Sequence, residues 1–169
     1  MTHIGIFYGS STGNTQDAAK KIAKALSGHA VELFDVATAQ ADFSAYDLVL
    51  FGSSTWGLGD LQDDWDAFVE EVKSADLAGK KVALFGTGDS SSYSDTFGEA
   101  LGKIYGAIKG KGIQLIGQVP TEGYSFDSSE SVIDGQFVGL LLDEDNEPEK
   151  TDQRIALWVD QIKKAILNI

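Results

Sequence analysis

The chain has 169 residues, no cysteine and only two prolines, Pro120 and Pro148. Without cysteine there can be no disulfide, thiolate metal centre, iron–sulfur cluster or thiol nucleophile. Basic residues are also scarce: 13 Lys and Arg face 26 Asp and Glu, a formal net charge of −13. Nucleic acids and anionic membranes are bound through clustered Lys and Arg, so neither is an expected partner. No apolar run approaches the ~20 residues of a membrane span. The start MTHIGIFYG lacks the basic and long apolar regions of a signal peptide. The chain reads as soluble and cytoplasmic. With 43% hydrophobic and 23% charged residues, it has the composition of a folded globule rather than an acidic disordered tail. Its length suits one domain spanning residues 1–169, large enough to bury a core unaided.

What is present is alternation. Residues 3–8 (HIGIFY), 30–35 (AVELFD), 47–52 (DLVLFG), 81–86 (KVALFG) and 113–118 (IQLIGQ) are short apolar runs that read as strands. Between them, apolar residues recur at helical spacing. Ala18, Ala19, Ile22, Ala23 and Leu26 mark a helix from Thr15 that Gly28 closes, and Trp65, Phe68, Val69 and Val72 mark one over 62–73. Further helices are predicted over 97–109 and 151–168, the last burying Ile155, Trp158, Val159 and Ile162. Continuous apolar strands alternating with amphipathic helices predict an α/β fold, a doubly wound parallel sheet covered on both faces. The polar stretch 119–137 breaks the alternation before the apolar run 137–142. It reads as an insertion in the fifth strand that returns to the sheet.

The first strand ends in Gly9-Ser-Ser-Thr-Gly-Asn-Thr15, which opens directly into a helix. Ser10, Ser11, Thr12 and Thr15 offer hydroxyls, the glycines flanking them, Gly9 and Gly13, let backbone N–H groups converge on one point, and the helix N-terminus, where Asn14 lies, adds partial positive charge. The loop suits a phosphate. It lacks the lysine of a nucleotide triphosphate loop and the glycine pattern of a dinucleotide fold, so a single monoester phosphate fits best. The plainer alternative is a helix capped by a Ser/Thr-rich turn.

The run SSTGNT resembles the phosphate loop of the flavodoxins, [ST]-x-T-G-x-T, and the likeness continues along the chain. Thr55-Trp-Gly-Leu-Gly-Asp-Leu-Gln62 is similar to the family's first flavin loop, and Gly86-Thr-Gly-Asp89 with Tyr93 to the second. Gly123-Tyr-Ser-Phe126 and Gly135-x-Phe-Val-Gly-Leu-x-Leu-Asp-Glu-Asp-Asn146 resemble the insertion of the long-chain subgroup. The resemblance implies a five-stranded parallel sheet in the order 2-1-3-4-5. It also implies flavin mononucleotide (FMN) at the switch point between strands 1 and 3, the position described for flavodoxins themselves. The implied FMN contacts are residues 10–15, Ser54, Thr55, Trp56, Gly57, Leu58, Gly59, Thr87, Gly88, Asp89 and Tyr93. Trp56 and Tyr93 would cover opposite faces of the ring by offset stacking, whereas Trp65 and Trp158 sit on helical stripes and read as core. Two residues depart from the family's habit. Ser90 stands where Gln is common, which puts a side-chain contact from that position to the flavin edge in doubt. Ser54 stands where Pro is frequent.

The implied activity is low-potential transfer of single electrons between redox enzymes, cycling mainly between neutral semiquinone and anionic hydroquinone, with no substrate conversion of its own. The resemblance also implies a switch in which the peptide after Trp56 turns its carbonyl toward flavin N5 on half-reduction, and Gly57, which permits positive φ, makes either orientation accessible. Segments 53–72, 82–102 and 112–149 hold 18 of the 26 carboxylates and none of the 13 cations, which opposes an anionic, fully reduced ring. The same acid, with Asp60, Asp63, Asp64, Asp66, Asp89 and Asp95 as rim candidates, would steer basic-surfaced partners into brief encounters with a monomer. A phosphorelay receiver is excluded because the strand ends lack its Asp and Lys, and a phosphatase of related topology because there is no cysteine. A flavin reductase is the remaining rival, but it needs room for nicotinamide on the ring. No metal is expected: His3 and His29 lack ligand spacing, and carboxylates 143–145 read as caps or solvated groups.

Overall fold

The structure, a computed structural model, describes residues 2–167. Its elements follow the chain as β1 (His3–Gly9), α1 (Asn14–Ala25), β2 (Ala30–Asp35), β3 (Leu48–Trp56), β4 (Asp60–Leu61), α2 (Asp63–Ser74) and β5 (Lys81–Thr87). Then come α3 (Glu99–Ile108), β6 (Gln114–Leu115), β7 (Val119–Pro120), β8 (Val132–Ile133), β9 (Gln136–Phe137), β10 (Leu140–Leu142) and α4 (Thr151–Leu167). The main sheet runs β10-β5-β3-β1-β2 with every neighbouring pair parallel. This is the doubly wound order predicted.

The fifth position differs in detail. The sequence suggests one strand over 113–118, but only Gln114–Leu115 pairs there, with the first residues of β5. The last residues of β5 pair instead with Leu140–Leu142. Two short pieces fill one edge, and the insertion between them folds as a small antiparallel sheet, β7-β9-β8. Gly117, at φ 81, turns the chain off the edge. Position 28 is another correction. Helix α1 ends at Ala25, Leu26 takes the cap position, and Gly28 is not among the glycines with positive φ.

Side-chain alternation along the strands separates two cores. Ile4, Ile6, Leu48, Leu50, Ala83 and Phe85 pack under α1 and α4, while Phe7, Val49, Phe51, Val82 and Leu84 pack under α2 and α3. Trp65 and Trp158 are core residues as expected, almost wholly buried. Each indole N–H donates to a backbone carbonyl, Trp65 to Gly52 at 2.7 Å and Trp158 to Gly117 at 2.8 Å. A buried indole without such an acceptor would cost about 1–3 kcal/mol. Among the described residues, no helix is long and apolar enough to cross a membrane.

Candidate functional site

Register decides what meets at the carboxyl edge of the sheet. Gly9 pairs with Ser53, Ser53 with Gly86, and Thr87 with both Ser54 and Leu142. The loops that follow β1, β3, β5 and β10 therefore leave the sheet side by side. They enclose a cavity of about 360 Å³ lined by Thr12, Asn14, Ser54, Thr55, Trp56, Thr87, Gly88, Asp89, Tyr93 and Asp145. A larger groove of about 490 Å³ lies between α4 and the inserted sheet, away from these loop ends.

The first loop is not a side-chain cap. Gly13 occupies the N-cap of α1 at φ 97 and, having no side chain, makes no capping bond to the amides of the first turn. A residue with a Cβ would be strained there. The first bond of the helix is Asp17 N–H to Gly13 O, at 2.9 Å. Among the described residues, the amides of Asn14, Thr15 and Gln16 have no partner, and neither do those of Ser11 and Thr12. Ser10 Oγ accepts the Gly13 amide at 3.1 Å and Ser11 Oγ accepts from Gln62 Nε2 at 3.1 Å. Thr15 is fully buried and shares a 3.1 Å hydrogen bond with Thr87. Three of the four predicted hydroxyls thus brace the loop, and Thr12 with Asn14 lines the cavity. Five free amides in the loop and first turn of a helix are groups able to bind an anion.

The second loop is a hairpin. β4 turns back antiparallel on β3, with Trp56 opposite Asp60, so Gly57, Leu58 and Gly59 form the tip. Gly57 sits at φ 51 and Gly59 at φ 97. Trp56 is 40% exposed and Tyr93 is 41% exposed on the same cavity. The Trp56 indole N–H donates to Ser54 Oγ at 2.8 Å, so Ser54 orients the ring. Thr55 Oγ accepts the Ala100 amide at 3.1 Å and ties the hairpin to α3. Of the rim candidates, Asp60 pairs with Lys103 at 3.5 Å, so this rim is not wholly free of cations.

In the third loop, Asp89 Oδ1 accepts the amides of Ser91 at 3.1 Å and Ser92 at 3.0 Å, and the side-chain N–H of Asn146 at 2.9 Å. Burial works against the charged form, but the hydrogen bonds from Ser92 and Asn146 outweigh it and hold the Asp89 carboxyl below the usual range. Asp145, by burial and then the nearby charges of Asp89, Asp143 and Glu144, is pushed up. The expectation that 143–145 are caps or solvated charges fails for Asp143. That side chain is fully buried, bonded to Ser90 Oγ and, at 2.8 Å, to Asn146 Nδ2. Ser90, also buried, turns inward to this carboxylate.

Two contributors lay outside the sequence prediction. Asp145 lines the cavity, but only the return of β10 to the sheet brings it there. Gln62 is 1% exposed. Its Oε1 caps α2 through the Asp64 amide at 3.0 Å, its own amide donates to Ser53 Oγ at 3.2 Å, and its Nε2 holds Ser11. A glutamine before an acidic helix start was the available signal.

Comparison with known proteins agrees with this geometry. The flavodoxin family model matches residues 6–158. A flavodoxin of Synechocystis is 46% identical over 165 residues, covering 96% of this chain and 97% of its own. Flavodoxin 1 of Escherichia coli is 43% identical over 168 residues, covering 98% and 96%. A crystal structure of Fusobacterium nucleatum flavodoxin bound to flavin mononucleotide superposes with a TM-score of 0.93 at 28% identity, covering 98% of this chain and 99% of that one. The chain belongs to the flavodoxin family.

Proposed function

We propose that this chain is a single FMN-binding domain that carries single electrons between redox enzymes and converts no substrate of its own. The observation that carries the reading is one cavity holding two unlike features. At one end the Gly13-capped helix offers unpaired amides to a single phosphate. On its walls Trp56 and Tyr93 are each left about two-fifths exposed, as a flat ring stacked on them requires. Among the described residues, no lysine or arginine lines the cavity, which suits one phosphate and not three.

When bound, the flavin supplies one-electron redox chemistry. The chain's own residues set how favourable each step is. Gly57, already at φ 51, lets the peptide after Trp56 present either its N–H or its carbonyl to the ring edge. A bond made in only one redox state is worth about 0.5–1.5 kcal/mol. Asp89 and Asp145 line the cavity and oppose a ring that gains negative charge. A residual repulsion of about 1.4 kcal/mol lowers a one-electron potential by about 59 mV. These two levers favour cycling between the half-reduced neutral and fully reduced anionic forms.

The exposed acid of Asp63, Asp66 and Asp95 supports steering of basic-surfaced partners, with release kept fast by a small interface. We read the carrier as a cytoplasmic monomer. Both aromatic walls crowd the cavity, which supports a carrier over a nicotinamide-dependent reductase. An anaerobic reductive titration followed by absorbance tests the reading. A long-lived blue radical at half-reduction is expected. Direct two-electron reduction by NAD(P)H with no radical would overturn it.

A further inference from the structure

The third loop is held from beneath by a buried polar pair that joins Ser90, where this chain departs from the family's habit, to Asp143. Asp143 follows β10 with no exposed surface, and Ser90, at the apex of the third loop, is 8% exposed. Ser90 Oγ–H donates to Asp143 Oδ2. The only other side-chain donor to this carboxylate among the described residues is Asn146 Nδ2, at 2.8 Å, and that same nitrogen also reaches Asp89. A buried carboxylate needs its hydrogen bonds, because an unmatched one costs more than an ordinary bond gains. Ser90 is therefore pinned.

Pinning matters because of what else the loop does with its amides. Gly88 N–H donates to Leu142 O at 3.0 Å, those of Ser91 and Ser92 go to Asp89 Oδ1, and that of Tyr93 goes to Asp89 O at 3.0 Å. Among the described residues, only the amides of Asp89 and Ser90 lack a partner within 88–93. They lie beside the cavity that Gly88, Asp89 and Tyr93 line. We propose that the Ser90–Asp143 pair is a positioning element that fixes the free amides of Asp89 and Ser90 for hydrogen bonding to the acceptor edge of the flavin. Serine at 90 then acts through the backbone rather than by touching the ring. The inference rests on the FMN reading above.

The test uses the full chain as apoprotein and with FMN. In Ser90→Ala apoprotein, exchange of the hydrogen-bonded amides of Ser91, Ser92 and Tyr93 should accelerate at least about tenfold while β1 stays protected. FMN affinity should fall about tenfold. Asp143→Asn keeps a hydrogen bond to Ser90, because its oxygen can still accept from Asn146 while its NH2 donates to Ser90 Oγ, and it should stay within threefold of wild type. Val72→Ala, a core truncation in α2 far from the loop, should lower stability yet leave FMN affinity unchanged, which separates positioning from general destabilisation. Wild-type exchange rates and affinity in Ser90→Ala would overturn the inference. So would Asp143→Asn failing as badly as Ser90→Ala. A wild-type chain that ignores FMN would overturn the FMN reading instead, and the exchange comparison would still show whether the pair holds the loop.

Discussion

Removing the Trp56 ring should weaken FMN binding far more than it weakens the fold. The indole keeps 40% of its surface exposed. Large aromatics carry about 150–250 Å² of buriable area, so one stacked face leaves roughly 50 Å² to be covered, with a like area on the ligand. At about 25 cal/mol per Å² that burial contributes about 2.5 kcal/mol. Stacking adds about 0.5–1.5 kcal/mol. Trp56→Ala keeps part of the contact, so a net loss of about 2–3 kcal/mol is expected, roughly a 30- to 150-fold rise in Kd. Because the side chain is not in the core, urea unfolding of the apoprotein should shift by less than about 1 kcal/mol. Trp56→Phe should recover about half of the binding loss. Flavin fluorescence titration reads the affinity. A Kd within threefold of wild type for Trp56→Ala would refute the stacking argument.

Three further predictions concern the frame around the ring. Gln62→Ala removes the α2 cap and the tie to Ser11 together, so apoprotein stability should drop by about 1–2 kcal/mol in urea unfolding. Gly57→Ala meets no side chain closer than Asp60 Oδ2 at 3.5 Å, so its cost is that of the left-handed backbone, about 1–2 kcal/mol; Gly57→Asn should cost less, and equal stability of all three chains would deny the positive φ a role. The acid pair should show opposite pH responses. Asp89 sits below its ordinary value of 3.8, so its stabilising contribution is complete above that value and is lost as pH falls through the depressed one. Asp145 is raised, so it weakens the fold at neutral pH and that handicap disappears as pH falls through its raised value. Apoprotein stability measured from pH 7 to 3 should therefore bring wild type down relative to Asp89→Asn and up relative to Asp145→Asn.

Much of this architecture is legible in the sequence, for a physical reason. Strands buried on both faces must be continuously apolar, so LVLFG and KVALFG declare themselves, and helices covering them must show one apolar stripe. Residues forced outward by register are equally visible: Trp56 and Tyr93 are large aromatics among Gly and Ser, and both line the cavity. Elements of two or three residues are not legible, because pairing partners rather than composition create them. The return of the apolar run 137–142 to the sheet is read from the sequence and is seen at Leu140–Leu142, but the shortness of the first piece, Gln114–Leu115, and the small sheet of the insertion escape pattern reading. Buried polar groups hide for the same reason. Asp143 looks like its solvated neighbours until β10 docks on β5 and carries it under Ser90. In the first loop the sequence suggests both hydroxyls and backbone amides as anion donors, and only the structure shows that Ser10, Ser11 and Thr15 are already engaged while the amides are left unmatched.

The central claim is that a single phosphate is held by unpaired amides of the first loop while a flat ring lies between the next two. Isothermal titration of the apoprotein with FMN and with riboflavin, which differ only in that phosphate, tests it most directly. FMN should bind about a hundredfold or more tightly than riboflavin, since each charge-assisted hydrogen bond contributes about 1.5–3 kcal/mol. Equal affinities for the two flavins, or none for FMN, would contradict the account.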